Sequence, residues 1–450
     1  MRRVPVVEEL LPAPDPWGLA RSLASLPHLL FLDSADRSAA VGRYSFVTAD
    51  PVRWVELPRV ATDDPFALLQ PLLDELPEPI PGLPPFQGGL AGLFGYGLAH
   101  AVERFPRPPI DEFRTPDLAV GLYDWVVAFD HTADRAWLIA HSPERMAWAK
   151  TQLHGGPILA RSRPAVEPVT GMHPLPGYPH VFSNFARASY QRTIGTAVEY
   201  VHAGDCFQVN VAQRLLTRSV GSPLELYGRL RERNPAPFAA YFDMGGHVVA
   251  SASPERFLKV EGRNVETCPI KGTRPRGGDA ASDAAIAAEL ARSSKDRAEN
   301  VMIVDLLRND LGRVCEYGSV LVPRVCEVES FRFVHHLVST VTGTLRAERT
   351  ALDLMRATFP GGSVTGAPKV RALEIISELE GVARGPYCGS IGYISGGGAM
   401  DSSILIRTFT ASGGWLQFPV GGGIVADSDP AREYEETLHK AAGLLASIGK

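Results

Sequence analysis

At 450 residues, 45% hydrophobic and 21% charged, the chain carries enough apolar side chains for a large core, which excludes a disordered or fibrous protein. Its 45 basic and 50 acidic residues leave a formal net charge of -5, so there is no electrostatic footprint for nucleic acid or an anionic membrane, and a small-molecule substrate is the default. The five cysteines, Cys206, Cys268, Cys315, Cys326 and Cys388, are odd in number, widely spaced and without a CxxC pair, which argues against a disulfide framework and a zinc site.

The opening MRRVPVVEELLPAPDP meets Pro5, two glutamates and further prolines before an apolar core of signal-peptide length develops. No run approaches the roughly 18 apolar residues of a membrane span, so the expected location is the cytoplasm. Up to residue 154 the chain mixes strand-like runs, Val52–Leu57, Leu118–Phe129 and Arg135–Ala140, with short helical patterns. Residues 155–180 are rich in Pro and Gly, have no sustained period and read as a long surface connection. Beyond it the pattern predicts a helix over Arg187–Ala203 and strands at Val248–Ser253, Arg256–Val260 and Asn264–Thr267. Helices follow at Lys295–Leu311, with Val301, Val304, Leu307 and Leu311 at helical spacing, and at Pro368–Glu380. Strand patterns at Ser390–Ile394 and Ser402–Thr410 precede a final helix that Asp429 caps, with Pro430 in its first turn. Strands and helices without regular βαβ alternation indicate an α+β architecture.

On the final helix Glu433, Glu436 and Lys440 share one face, which reads equally as a solvated charged face or as part of a metal site. Glu299, on the other periodic helix with Asp296 one turn before it, could add a carboxylate for magnesium, though spacing alone does not make the two helices converge. Glycines cluster at 361–366, 396–398 and 421–423, as tight turns or as backbone that approaches a ligand. None fits GxGxxG before a helix or the Walker sequence, so nucleotide readings lose their main support. Lys271, in PIKGT, reads as a surface cation in a turn after a strand, unless burial or a nearby cation populates its free amine. Glu255, in SPERF between two strand patterns, is ordinary unless its surroundings make it a proton donor. Of His335 and His336, one reads as a packed core histidine.

Together, FQVNVAQR, ASPERF, CPIKGTRPRG, DRAENVMIVDLLRNDLGRVC, VHHLVSTVTG, FPGGSVTGAPKVRALEII, GSIGYIS, IRTF and GGGIVADSDPAREYEET resemble the chorismate-utilising enzymes. That family includes anthranilate, aminodeoxychorismate, isochorismate and salicylate synthases. The resemblance implies one α+β unit of two packed β-sheets flanked by helices, with 1–154 an amino-terminal segment of that fold and 181–450 its chorismate-binding catalytic region. It implies Mg2+ held by Glu299, Glu433 and Glu436, and contacts to chorismate from Gln208, Thr273, His336, Thr365, Tyr393, Arg407, Gly422 and Gly423. Arg407 suits that role because a guanidinium grips a carboxylate through two parallel hydrogen bonds.

Two positions separate the branches of the family. Isochorismate-type members carry a water-activating lysine where this chain has Gln208, and anthranilate synthases carry a small residue where it has Lys271. The implied reaction is therefore amination of carbon 4, with Lys271 as a covalent nucleophile at carbon 2 and Glu255 as proton donor, giving 4-amino-4-deoxychorismate for 4-aminobenzoate and folate. No glutaminase signature and no room for a fused lyase follow the final helix, which implies a separate glutaminase subunit as ammonia source and a separate lyase. FLDSADRSAAVGRYSF resembles the family's tryptophan-pocket segment and implies a place for bound tryptophan at Ser34, Arg43 and Tyr44, although LDSA stands where feedback-regulated anthranilate synthases carry LLES. The alternatives are an anthranilate or dual-purpose aminating subunit, and a noncatalytic glutaminase-binding relative; retention of Lys271, Glu255, Glu299 and Glu436 argues against the last.

Overall fold

A computed structural model describes residues 4–37, 41–60, 64–153, 166–168, 172–332 and 334–448. Its strands Gly89–Phe94, Leu118–Tyr123, Trp125–Asp130 and Val248–Ser253 are buried along their whole length, which requires cover on both faces and so places them inside sheets. Among the described residues they belong to two antiparallel sheets of 13 and 10 strands. The sheets pack face to face through a core in which Phe46 and Phe242 of the larger meet Leu93 and Ile391 of the smaller.

Both halves of the sequence build both sheets. In the larger sheet the amino-terminal strand Leu30–Asp33 pairs with Phe238–Asp243, and in the smaller Gly89–Phe94 pairs with Ser390–Ser395. Helices Pro143–Gln152, Pro223–Arg233 and Pro430–Ile448 cover the outer face of the larger sheet, and Pro65–Asp74, Ser294–Gly312 and Ala351–Thr358 cover that of the smaller. The expected α+β fold of two packed sheets flanked by helices is what the chain adopts. Among the described residues no helix is long and apolar enough to cross a membrane.

The structure corrects three expectations. The run Leu118–Phe129 is two strands, Leu118–Tyr123 in the smaller sheet and Trp125–Asp130 in the larger, because strands covered on both faces leave no change of pattern where the chain crosses between sheets. Ser402–Thr410 divides likewise into Met400–Ile404 and Thr408–Ser412. The connection at 155–180 ends in a hairpin, His173–Leu175 with Tyr178–Ser183, at the edge of the larger sheet. Residues 155–165 and 169–171 of that stretch lie outside the described residues.

Candidate active site

The chain passes from the larger to the smaller sheet between Ser253 and Arg256, and back between Ile404 and Thr408. Glu255 lies in the first crossing and Arg407 in the second. Main-chain bonds join the two, from Ile404 N–H to Glu255 O at 3.1 Å and from Ala252 N–H to Arg407 O at 3.1 Å. Both side chains face a cavity of about 1140 Å³.

Lys271 enters this cavity from the strand Ile270–Pro275, not from a turn after a strand as the PIKGT sequence suggested. A bulge between Lys271 and Thr273 re-aims the strand, and Gly272 occupies it at φ 76°. A Cβ on Gly272 would stand 2.9 Å from the Asp296 carboxyl carbon, so both conformation and space call for glycine.

The amine of Lys271 donates to Ser363 O at 3.1 Å. Burial pushes it below the usual lysine range, against the pull of Glu299 and Glu255. Burial raises the Glu255 carboxyl to about 6, although the Ser363 hydroxyl and the Ile270 N–H donate to it. Ser363 therefore touches both groups, through its side chain and its carbonyl.

His336 is buried and faces the cavity, with Nδ1 2.8 Å from Thr273 Oγ1 and Nε2 without a hydrogen-bond partner among the described residues. Burial and the nearby Arg407 hold it neutral by lowering it to about 3. Its neighbour His335 points the opposite way, to Asp283 at 2.9 Å and Ser330 at 2.8 Å, as alternation along a strand demands. The packed histidine of the pair is thus His335.

Glu299, Glu433 and Glu436 line one wall of the same cavity. Burial raises the carboxyls of Glu299 and Glu433, and the charge of Glu436 adds to both; Glu436 itself is lowered by Lys440, 2.8 Å away. Among the described residues no three His, Cys, Asp or Glu side chains already form a metal-ligand set. The donor chemistry fits a hard divalent cation all the same: repelling carboxylates face one water-accessible space, and a cation there relieves the repulsion.

Of the other expected residues, Thr273 and Gly423 line the cavity. Gly422 stands behind the acidic wall, where a Cβ would meet Glu433 at 3.3 Å. Gln208 packs against Gly423, buried, with both amide atoms unpartnered among the described residues. Thr365 is buried and does not line the cavity, its hydroxyl donating to Gly361 O at 3.0 Å.

Tyr393 does not line this cavity and is corrected. It lies in a second cavity of about 390 Å³, its ring 4.7 Å from that of Phe86 and 5.4 Å from that of Phe46. Ser34, Arg43 and Tyr44 line that second cavity, where Ser34 Oγ donates to Tyr44 O at 2.6 Å and Arg43 forks onto Asp130. The tyrosine at the large cavity is Tyr387, six positions earlier, and Asn210 and Ser363 join it there. Sequence reasoning passed over all three. Asn210 was within reach of it, since it shares a strand face with Gln208.

The chain matches the family model for chorismate binding enzymes over residues 32–446, and it belongs to that family. It is 43% identical to aminodeoxychorismate synthase component 1 of Salmonella typhimurium over 93% of each chain. It is 42% identical to anthranilate synthase component 1 of Thermus thermophilus, over 90% of this chain and 87% of that one. The crystal structure of anthranilate synthase component I from Streptococcus pneumoniae superposes with a TM-score of 0.74 at 33% identity, covering 89% of this chain and 91% of that one.

Proposed function

We propose that the chain aminates chorismate at carbon 4, the activity of an aminodeoxychorismate synthase component 1, using ammonia from a partner glutaminase. The observation that carries this reading is the meeting of Lys271 and Glu255 at Ser363, in one cavity with Arg407.

The Lys271 amine bonds to ring carbon 2 of chorismate, the two ring double bonds shift toward carbon 4, and the carbon 4 hydroxyl departs as water with the proton of Glu255. Ammonia then attacks carbon 4, the double bonds shift back, and the bond from carbon 2 to Lys271 breaks. Glu255 takes the proton that the new ammonium group sheds. The guanidinium of Arg407 makes no hydrogen bond or ion pair with another side chain among the described residues, faces the cavity and suits a carboxylate of the substrate. Glu299, Glu433 and Glu436 would hold magnesium, which supplies positive charge for the ring carboxylate of chorismate. The second cavity is read as a place for bound tryptophan.

Similarity to the Thermus anthranilate synthase keeps a second product in view. Lysine at position 271, rather than the small residue of that branch, favours carbon 4. The test is incubation with chorismate, ammonium and magnesium, with and without an added aminodeoxychorismate lyase. 4-Aminobenzoate that forms only with the lyase supports the reading, and anthranilate fluorescence without it overturns the assignment.

A further inference from the structure

Arg384 and Glu380 are 4% and 5% exposed, and neither lines either of the two cavities described above. They form a two-pronged pair, Nε to Oε2 at 2.9 Å and Nη2 to Oε1 at 2.6 Å. The guanidinium spends its remaining reach on main-chain carbonyls: Nη1 donates to Val364 O at 3.0 Å and Nη2 to Asn210 O at 2.9 Å. Glu380 Oε1 also accepts the Ala212 N–H at 2.8 Å. The guanidinium carbon lies 5.7 Å from the ring centre of Tyr387. Asn210, Val364 and Tyr387 all line the large cavity, and they come from three separate segments of chain.

A buried ion pair is poor value as stabilisation alone, because desolvation offsets the attraction and an apolar pair of similar volume serves about as well. What an apolar pair cannot do is bond carbonyls. The rigid, planar fork of arginine fixes several acceptors at once, which a lysine cannot reproduce.

We infer that Arg384 and Glu380 form a positioning unit for the reaction: by holding the carbonyls of Asn210 and Val364 they set the place of Ser363, the residue that touches both Glu255 and Lys271. Ser363 precedes Val364 in the chain, and the Asn210 N–H closes the other side of the arrangement by donating to Thr365 O at 2.7 Å. Neither member of the pair meets substrate. Their effect falls on the alignment of proton donor and amine, so it appears in turnover and its pH dependence, not in affinity for chorismate.

This inference rests on the cavity being where chorismate reacts. The readout is consumption of chorismate with ammonium and magnesium, whichever product forms, so anthranilate as product would overturn the assignment above and leave the positioning test standing. The variants are Arg384→Lys and the apolar double exchange Arg384→Met with Glu380→Leu, each checked for cooperative unfolding and assayed well below its Tm. Expected in both is a kcat lower by ~10- to 100-fold, with the KM for chorismate within about threefold and the kcat/KM pH profile displaced. Unchanged kcat and an unchanged profile in Arg384→Lys, whatever its Tm, would reduce the pair to a structural tie and overturn the inference. If the double exchange does not fold, Arg384→Lys decides alone.

Discussion

Burial acts in opposite directions on the two groups that meet at Ser363. It favours the neutral forms of both, a protonated carboxyl at Glu255 and a free amine at Lys271, and these are the forms that proton donation and nucleophilic attack require. Because Glu255 is lifted to about 6, kcat/KM for chorismate, plotted at constant free ammonia, falls as pH rises through that value. Glu255→Gln removes this limb and lowers kcat by roughly 10²- to 10⁴-fold; a profile that keeps it would show that another group is the acid. The same lift makes the folded protein bind more protons than the unfolded chain between the ordinary value, 4.5, and about 6. The resulting contribution, about 2 kcal/mol, is fully present below that window and lost as pH rises through it. Lys271→Ala loses carbon 4 amination by ~10²-fold or more in the lyase-coupled assay and gains some anthranilate; full retention of activity would end the covalent route.

At the scale of elements, the site sits where regular structure is interrupted. Two crossings between sheets supply Glu255 and Arg407, a bulge aims Lys271, and a short turn of helix, Gly362–Val364, supplies Ser363. Such interruptions place side chains at angles that an unbroken strand cannot reach. Gly272→Ala therefore costs roughly 1–3 kcal/mol of stability and, with Lys271 still present, most of the activity; circular dichroism melting beside the product assay separates the two losses. Interruptions are also where the sequence was hardest to read. The helices Arg187–His202 and Ser294–Gly312 stand within a residue or two of their expected bounds, and Pro430–Ile448 begins where Asp429 and Pro430 were expected to start it, because each carries a sustained apolar period. The sheet crossings passed unseen in Leu118–Phe129 and Ser402–Thr410, since neighbouring strands buried on both faces look alike in sequence.

At the scale of the molecule, the two halves cannot be parted. Leu30–Asp33 and Gly89–Phe94 each sit in mid-sheet against strands from the carboxy-terminal half, so removing residues 1–154 opens both sheets along their length. The fragment 181–450 is expected to aggregate or to lack a cooperative transition, whereas the whole chain unfolds as one unit. A folded, chorismate-binding fragment would mean that the carboxy-terminal region is a domain by itself.

By itself the sequence determined the residue types, the helices and the faces they present, because propensity, capping and apolar spacing act over a few neighbours. The resemblance of its motifs to the family, and not their spacing, named Lys271, Glu255, His336, Arg407 and the three glutamates, which the fold brings to one cavity. Only the tertiary structure decided that Tyr387, and not Tyr393, reaches that cavity, and that Arg384 bonds the carbonyls of Asn210 and of Val364, the residue after Ser363. Those choices depend on which distant strand a side chain meets. Contacts such as Asn210 with Arg384, far apart in the chain, leave no periodic trace in the residues between them.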